Sequence, residues 1–382
     1  MQICVVCGNL FNIHMDQLYD ATPVERRLVD KASQLQIPIS ASFELTPLCN
    51  LSCDMCYVRM NARELAMHGN VRSIDEWLKT AEELKAMGTL FILLTGGEPL
   101  LYPRFNELYL ALREMGFILT INTNATLITE EMAELFSRVK PRRFNVSLYG
   151  GCNETYQDLC HISNGYDRCI QGLQLLKKYH IDTKLNLTII RKNRKDYEAV
   201  IRMAEELDMP ASINCYTSLF CSPTCTSQLN IPEIRLTPEE VATLEIEHLK
   251  YKYKNNYHER IKKMNAELIS TESAVSDGVT LSCRAGKSSC WINWQGMLSP
   301  CVDMATPSVS LAEHSVAEAW QSIVKQCASL PAHTECSGCK LSKLCDVCYA
   351  NATNEKKYCG DTAYLCTIGK AKRSLIEQEA QR

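Results

Sequence analysis

Residues 40–58 read SASFELTPLCNLSCDMCYV. The opening segment, Ser40–Leu45, reads as a strand and feeds straight into a loop that carries Cys49, Cys53 and Cys56 in a C-x3-C-x2-C spacing. A [4Fe–4S] cube has four irons, and each normally takes one thiolate. A tight loop with three cysteines can hold three corners and leave one iron free to bind a substrate or cofactor, which could then receive an electron directly. Free cysteines are also common as small buried hydrophobes. Three of them in so short a polar loop after a strand fit ligation better.

Working outward from that loop, β-like and helix-like segments alternate from about residue 39 to 218. Ser73-Ile-Asp-Glu76 is a capping box that opens a helix through about Met87. Leu90–Leu94 is a buried strand ending in Thr95-Gly96-Gly97-Glu98-Pro99. A helix near Asn106–Met115, the strand Phe117–Asn122 and the helix Glu130–Arg138 follow. Phe144–Leu148, Thr183–Ile190 and Ala211–Tyr216 are strands, separated by helices over Tyr166–Tyr179 and Asp196–Leu207. Such repeats imply parallel strands with right-handed crossovers. The fold class expected is α/β, a partial (β/α)6 TIM-like barrel over 39–218. Function gathers at the C-terminal strand ends of such barrels. The cysteine loop, Gly96–Pro99, Asn122-Thr-Asn124 and Ser147 all fall there.

Residues 1–38 form an N-terminal segment, and 219–280 a helical connector. Within the connector, Thr237-Pro-Glu-Glu240 is a second capping box that predicts one long helix through about Leu268. Beyond Leu281 the segments are short, periodicity is weak and cysteine is dense, so 281–382 is expected to be a small domain held by its metals.

The 382-residue chain is 46% hydrophobic and 22% charged, enough for a sizeable core. A formal net charge of −3 gives no electrostatic reason to expect nucleic acid or an anionic membrane as partner. No apolar run approaches the length of a bilayer span, and the N-terminus lacks a signal-peptide pattern. The 21 cysteines are an odd number in a long chain, clustered at C-x2-C and C-x3-C spacings. That favours metal or Fe–S ligation in a reducing, cytoplasmic compartment over disulfides. Zinc is the rival, although its sites usually set out two C-x2-C pairs.

The triplet, with Gly96-Gly97-Glu98-Pro99 downstream, resembles the signature of the radical S-adenosylmethionine (SAM) enzymes. Their usual aromatic residue before the third cysteine is replaced here by Met55, which the resemblance would place against the adenine. It implies contact of Gly96, Gly97, Glu98 and Pro99 with the amino group of SAM. Asn122, Asn124 and Ser147 would reach the ribose and carboxylate. An arginine common some thirteen residues after the SLYG segment is Cys160-His161 here, and Arg191 is a candidate substitute as well as an ordinary surface arginine. Beyond residue 281 the spacing resembles the SPASM extension, a small cysteine-rich Fe–S domain ending in a C-terminal helix. By that resemblance Cys283, Cys290, Cys301 and Cys348 hold one auxiliary cluster, and Cys336, Cys339, Cys345 and Cys366 a second. Two zinc ribbons are the competing reading. Asp303 lies one place further from Cys301 than the proton-accepting aspartate of sulfatase-maturing relatives. A capping or surface aspartate is the competing role.

The resemblance therefore implies three [4Fe–4S] clusters, SAM as cofactor, and an electron donor such as flavodoxin or ferredoxin. It implies cleavage of SAM to a 5′-deoxyadenosyl radical that takes hydrogen from a peptide or protein substrate. The product would be a thioether or carbon–carbon cross-link, or an oxidised side chain. Sulfatase maturation and a non-catalytic Fe–S electron carrier are the alternatives. Cys4 and Cys7, and Cys215, Cys221 and Cys225 on the barrel rim, could ligate metal or be idle thiols. Cys152, Cys160, Cys169, Cys327 and Cys359 receive no role.

Overall fold

The computed structural model describes residues 22–220, 231–271, 278, 280–341, 344–345 and 348–382. Cys4, Cys7, Cys221 and Cys225 lie outside the described residues. Helix α1 (Pro23–Leu35) leads into strand β1 (Ser40–Glu44) and the cysteine loop. Then come α2 (Ala62–His68), α3 (Ile74–Ala86), β2 (Phe91–Thr95), α4 (Phe105–Glu114) and β3 (Ile118–Thr123). The alternation continues through α5 (Glu130–Arg138), β4 (Arg143–Leu148), α6 (Asn153–Cys160), α7 (Gly165–Lys178), β5 (Thr183–Thr188), α8 (Tyr197–Leu207) and β6 (Ala211–Asn214).

The Ser73 capping box forms as the sequence requires. Its hydroxyl accepts the Glu76 amide at 3.3 Å, and Glu76 Oε2 accepts the Ser73 amide at 2.7 Å. Strands β1 to β6 lie side by side in chain order, every neighbouring pair parallel. Helices α2 and α6, inserted beside the cysteine loop and after β4, have no counterpart in the sequence reading. Both are short and carry too few turns to show a period.

On β3 and β4, Leu119, Ile121, Phe144, Val146 and Leu148 are buried in the main apolar core toward the helices. The positions between them, Thr120, Asn122, Asn145 and Ser147, turn to the inside of the barrel, where Asn145 Nδ2 donates to Asn122 Oδ1 at 2.9 Å. The helix side is aromatic. Phe43 stacks on Trp77 with ring centres 4.6 Å apart, and Tyr109, Phe136 and Phe144 meet edge to face. Each such ring contributes roughly 1.5–3 kcal/mol by burial. This layer fixes where the strand ends sit.

Two expectations are corrected. The connector helix is broken into α10 (Pro238–Tyr253) and α11 (Tyr257–Thr271), after a short α9 (Ile231–Ile234). The break is a 3-10 turn over Lys254–Asn256, where Lys254 has φ +44° and the two asparagines favour turn over helix. The segment beyond 281 is also more regular than expected. Strand β7 (Ser289–Ile292) pairs in parallel with the free edge of β1, and β8 (Met297–Ser299) and β9 (Val309–Ser310) extend the same sheet antiparallel. An open β1 edge would otherwise present unpaired amides. Helices α12 (Val316–Ala328), α13 (Tyr349–Cys359) and α14 (Ala363–Ala380) follow.

Helix α14 packs on α10 and α11. A buried ion pair ties the connector to α13: Arg235 Nη1 meets Glu355 Oε1 at 2.6 Å, and that oxygen also accepts from the Tyr216 hydroxyl at 3.1 Å. The Arg235 guanidinium lies 3.5 Å over the Tyr364 ring on α14. The end of β6 and the cysteine-rich segment are thereby held together.

Candidate functional site

The triplet loop leaves β1 and is gripped from three sides. Gly97 N donates to Thr46 O at 2.7 Å and Glu98 N to Leu48 O at 2.8 Å, so the turn after β2 lies directly on the loop's backbone. A Cβ on Gly96 would stand 2.4 Å from Thr46 O, and one on Gly97 2.4 Å from Leu48 O. The glycines are needed for this contact between two protein loops, which adds a reason to the one the sequence offered.

Glu98 is fully buried and points into the fold. It accepts from Thr123 Oγ1 and from the Asn124 amide, both at 2.8 Å, and from the Leu100 amide at 3.1 Å. Burial pushes its carboxyl up to about 7 against those three bonds. Its side chain thus fastens the β2 turn to β3. Asn124 carries the grip onward, its Nδ2 donating to Asn50 Oδ1 at 3.0 Å and reaching Cys49 Sγ at 3.7 Å.

Two of the three thiols accept backbone amides. The Leu51 amide points at Cys49 Sγ at 3.4 Å and the Arg59 amide at Cys56 Sγ at 3.3 Å. Amide donors to ligand sulfurs are what tune and hold an Fe–S cluster. Burial, followed by the charges of Glu98, Cys53 and Cys56, raises the Cys49 thiol well above its usual range. Among the described residues no three His, Cys, Asp or Glu side chains converge on a point fit for a single metal ion. A four-iron cube asks instead for thiolates set around its corners, which three cysteines on one tight loop can supply. The donor set and its amides fit a [4Fe–4S] cluster.

Other expected residues are placed as follows. Met55 is buried in the main core under the loop. Asn122 and Ser147 face the barrel's inside, while Arg191 is exposed at the start of a 3-10 turn. Asp303 lies within electrostatic reach of Tyr57 and Tyr216, and its carbonyl accepts Asn354 Nδ2 at 3.1 Å.

In the C-terminal segment, Cys336, Cys339 and Cys366 are electrostatic neighbours, and Gly369, one turn after Cys366, packs on Cys345. Cys301 packs with Cys348. Cys283 neighbours Cys327, whose Sγ would be 2.6 Å from a Cβ on Gly286. Cys290 sits on β7 opposite Ala41, buried in the barrel core, with burial alone raising its thiol to about 12. Of the eight cysteines, Cys336, Cys339 and Cys366 are thus near one another with Cys345 against the same helix, Cys301 and Cys348 border one small apolar cluster, and Cys290 lies on β7.

Sequence reasoning missed Glu44, Tyr57 and Tyr149. Glu44, the last residue of β1, is buried beside Trp291 and Trp294, and burial lifts its carboxyl to about 8. An acidic residue ending a barrel strand is a signal that was present in SASFEL. Tyr149 follows β4 and lies among Cys49, Cys53, Cys56 and Cys160.

Residues 43–204 match the radical SAM superfamily. The chain carries a radical SAM domain. Such a domain binds SAM and a [4Fe–4S] cluster, in agreement with the thiols and the turn just described. Over 350 residues the chain is 23% identical to the AdoMet-dependent heme synthase of Methanosarcina barkeri, covering 84% of this chain and 96% of the relative. It is 30% identical to the PqqA peptide cyclase of Ruegeria pomeroyi over 172 residues, 44% of this chain and 45% of that one. Its fold is similar to that of native anSMEcpe with bound AdoMet, with TM-score 0.64 and 18% identity over 90% of this chain and 99% of the other. The fold of Streptococcus suis SuiB bound to precursor peptide SuiA is also similar, with TM-score 0.62 and 18% identity over 93% and 81%. Among the described residues no helix is long and apolar enough to cross a membrane.

Proposed function

We propose that the protein is a cytoplasmic radical SAM maturase, which removes hydrogen from a peptide or protein to form a thioether or carbon–carbon cross-link or an oxidised side chain. The observation that carries this is the convergence of the triplet, the Gly96–Pro99 turn and Asn124 at one end of the barrel, with Glu44, Tyr57, Tyr216 and Asp303 standing between them and the C-terminal cysteines. When bound, the cluster and SAM supply one electron and a 5′-deoxyadenosyl radical that takes a hydrogen atom from substrate.

The chain's own residues do the rest. Cys49, Cys53 and Cys56 would hold three irons. The backbone of Gly96, Gly97, Glu98 and Pro99 would bind the amino group of SAM, and Asn122, Asn124 and Ser147 its ribose and carboxylate. Asp303 accepts the proton that the substrate loses. Cys301 and Cys348, with Cys283 and Cys290, and then Cys336, Cys339, Cys345 and Cys366, would hold two auxiliary clusters of a SPASM-type domain, whose chemistry would be to accept the second electron. Flavodoxin or ferredoxin supplies the first. Trp291, Phe220 and Val302, packed around Tyr57, keep water from the radical.

Acids and phenols at the barrel mouth suit a peptide better than a polycarboxylate, which would ask for arginines. The fold likeness to SuiB bound to a precursor peptide supports the same choice. A second reading, haem synthesis, is favoured by the alignment with the M. barkeri heme synthase along nearly its whole length.

The test incubates reduced, reconstituted holoprotein with SAM and, separately, a short peptide encoded beside its gene and an iron porphyrin carboxylate, measuring 5′-deoxyadenosine and substrate mass. Peptide-dependent product with loss of two hydrogens supports the proposal. Turnover of the porphyrin alone transfers the assignment to the second reading. Absence of 5′-deoxyadenosine in every arm rejects both.

A further inference from the structure

Strands β4 and β5 pair as far as Leu148 and Leu187. Beyond that point their ends are joined by a side chain. Asn193, in the 3-10 turn over Arg191–Asp196, is fully buried. Its Nδ2 donates to Tyr149 O and to Thr188 O, both at 2.8 Å, and its Oδ1 accepts from Ile190 N at 2.8 Å. Only an amide nitrogen can face two carbonyls, so the side chain has one orientation. Asp196 adds a second tie from the same turn. It is 9% exposed, and its Oδ2 accepts from Gly151 N at 3.1 Å. A Cβ on Gly150 would stand 2.8 Å from that oxygen. From the other side, Tyr149 N donates to the Tyr156 hydroxyl at 3.4 Å.

The 3-10 turn leaves Arg191, Arg194 and Lys195 in solvent and spends its two buried polar residues on main chain of the neighbouring strand end. Burying a polar side chain costs free energy that its bonds largely only offset. What a fully bonded side chain adds is direction, since it fixes the spacing of the groups it joins. The groups joined here follow Ser147, on the inner face of β4, by two to four residues. We propose that Asn193, seconded by Asp196, is a positioning residue that sets the Ser147–Gly151 turn as one wall of the SAM site. The proposal rests on the reading that the end of β4 faces SAM. Loss of the clasp weakens SAM binding and leaves the iron of the cysteine loop in place.

The test measures SAM affinity by equilibrium dialysis on oxidised, reconstituted holoprotein, without reductant and so without turnover, with an iron assay alongside. Asn193→Leu keeps the bulk and removes the donors, and is expected to raise Kd about tenfold, the worth of one or two buried bonds. Asn193→Asp sets a carboxylate oxygen against the two carbonyls and should do at least as much. Should neither fold, Asp196→Ala frees Gly151 N alone and is expected to raise Kd about threefold. Thr89→Val is the control for general destabilisation, since it removes a buried bond to Pro38 O at the opposite end of the barrel. Its Kd should stay within about twofold of wild type. Ser147→Ala tests the underlying reading. A weakened Ser147→Ala with unchanged Asn193 variants overturns the proposal and leaves that reading standing. No change in either overturns both. Weakening in the Asn193 variants alone supports the clasp and removes only Ser147 from the SAM contacts. Equal weakening by Thr89→Val, or loss of iron in the Asn193 variants, makes the residue a general support and overturns the proposal.

Discussion

Around Cys49, Cys53 and Cys56 the backbone is held by its neighbours: the Gly97 and Glu98 amides, the Asn124 side chain and the end of α6 all bond to the loop. Around Cys336, Cys339 and Cys345 the described residues run through short turns, with Leu344 in a small apolar cluster and Gly369 against Cys345. The first loop rests on the large core between strands and helices through Leu51, Cys53 and Met55, whereas of the second only Cys345 joins that core, and Leu344 sits in a smaller cluster. A cluster in the barrel would enter a nest already shaped by packing. A cluster in the C-terminal segment would itself tie down Cys336 and Cys339, as structural metals do in small domains.

The largest expected effect follows from the barrel side. Replacing Cys49, Cys53 and Cys56 together by alanine should lower SAM cleavage by at least about a thousandfold, some 4 kcal/mol of lost transition-state stabilisation. The C-terminal iron should remain. Chromatography of 5′-deoxyadenosine with an iron assay checks this, and equal iron loss from both regions would break the contrast.

Anaerobic chelation of iron comes next. Amide exchange over 336–345 should accelerate at least about tenfold more than that of β2 and β3, in keeping with metal binding that is coupled to folding. Uniform acceleration would show that both regions depend on iron alike.

Gly97→Ala sharpens the barrel side. Its new Cβ meets backbone at Leu48 O, which cannot swing aside. A loss of about 1–3 kcal/mol in thermal or denaturant unfolding is expected, with faster loss of iron from the triplet.

The last effect is a pH dependence at Glu44. Burial pushes its folded-state carboxyl from an ordinary 4.5 up to about 8, so the folded form binds the proton more tightly than the unfolded chain. Stability from this site is full below the unfolded value and declines as pH rises toward 8, by at most about 1.4 kcal/mol per pH unit. Glu44→Gln should remove that decline, so the gap in melting temperature over wild type should widen from pH 5 to pH 8. A constant gap would mean that Glu44 is ionised in the fold.

The barrel was legible because each of its units repeats the same local chemistry: a capping box or polar start, an amphipathic helix, then an apolar strand. Helices α2 and α6 were not legible, since seven or eight residues carry too little period. The division of the connector turned on the Lys254–Asn256 turn, which a long charged pattern conceals. Strand β7 escaped notice because four residues, SCWI, look like a strand only once β1 offers them an edge.

The sequence by itself determined the parallel barrel and the chemistry of its cysteine loop, because periodicity and ligand spacing are local properties of the chain. Only the tertiary structure decided that Glu98 fastens two strands, that Glu44 is buried at the mouth, that the end of α6 is tied to the cysteine loop and that β7 closes the edge of β1. Those outcomes depend on which distant segments share a face or a turn, and desolvation exists only once they are packed together.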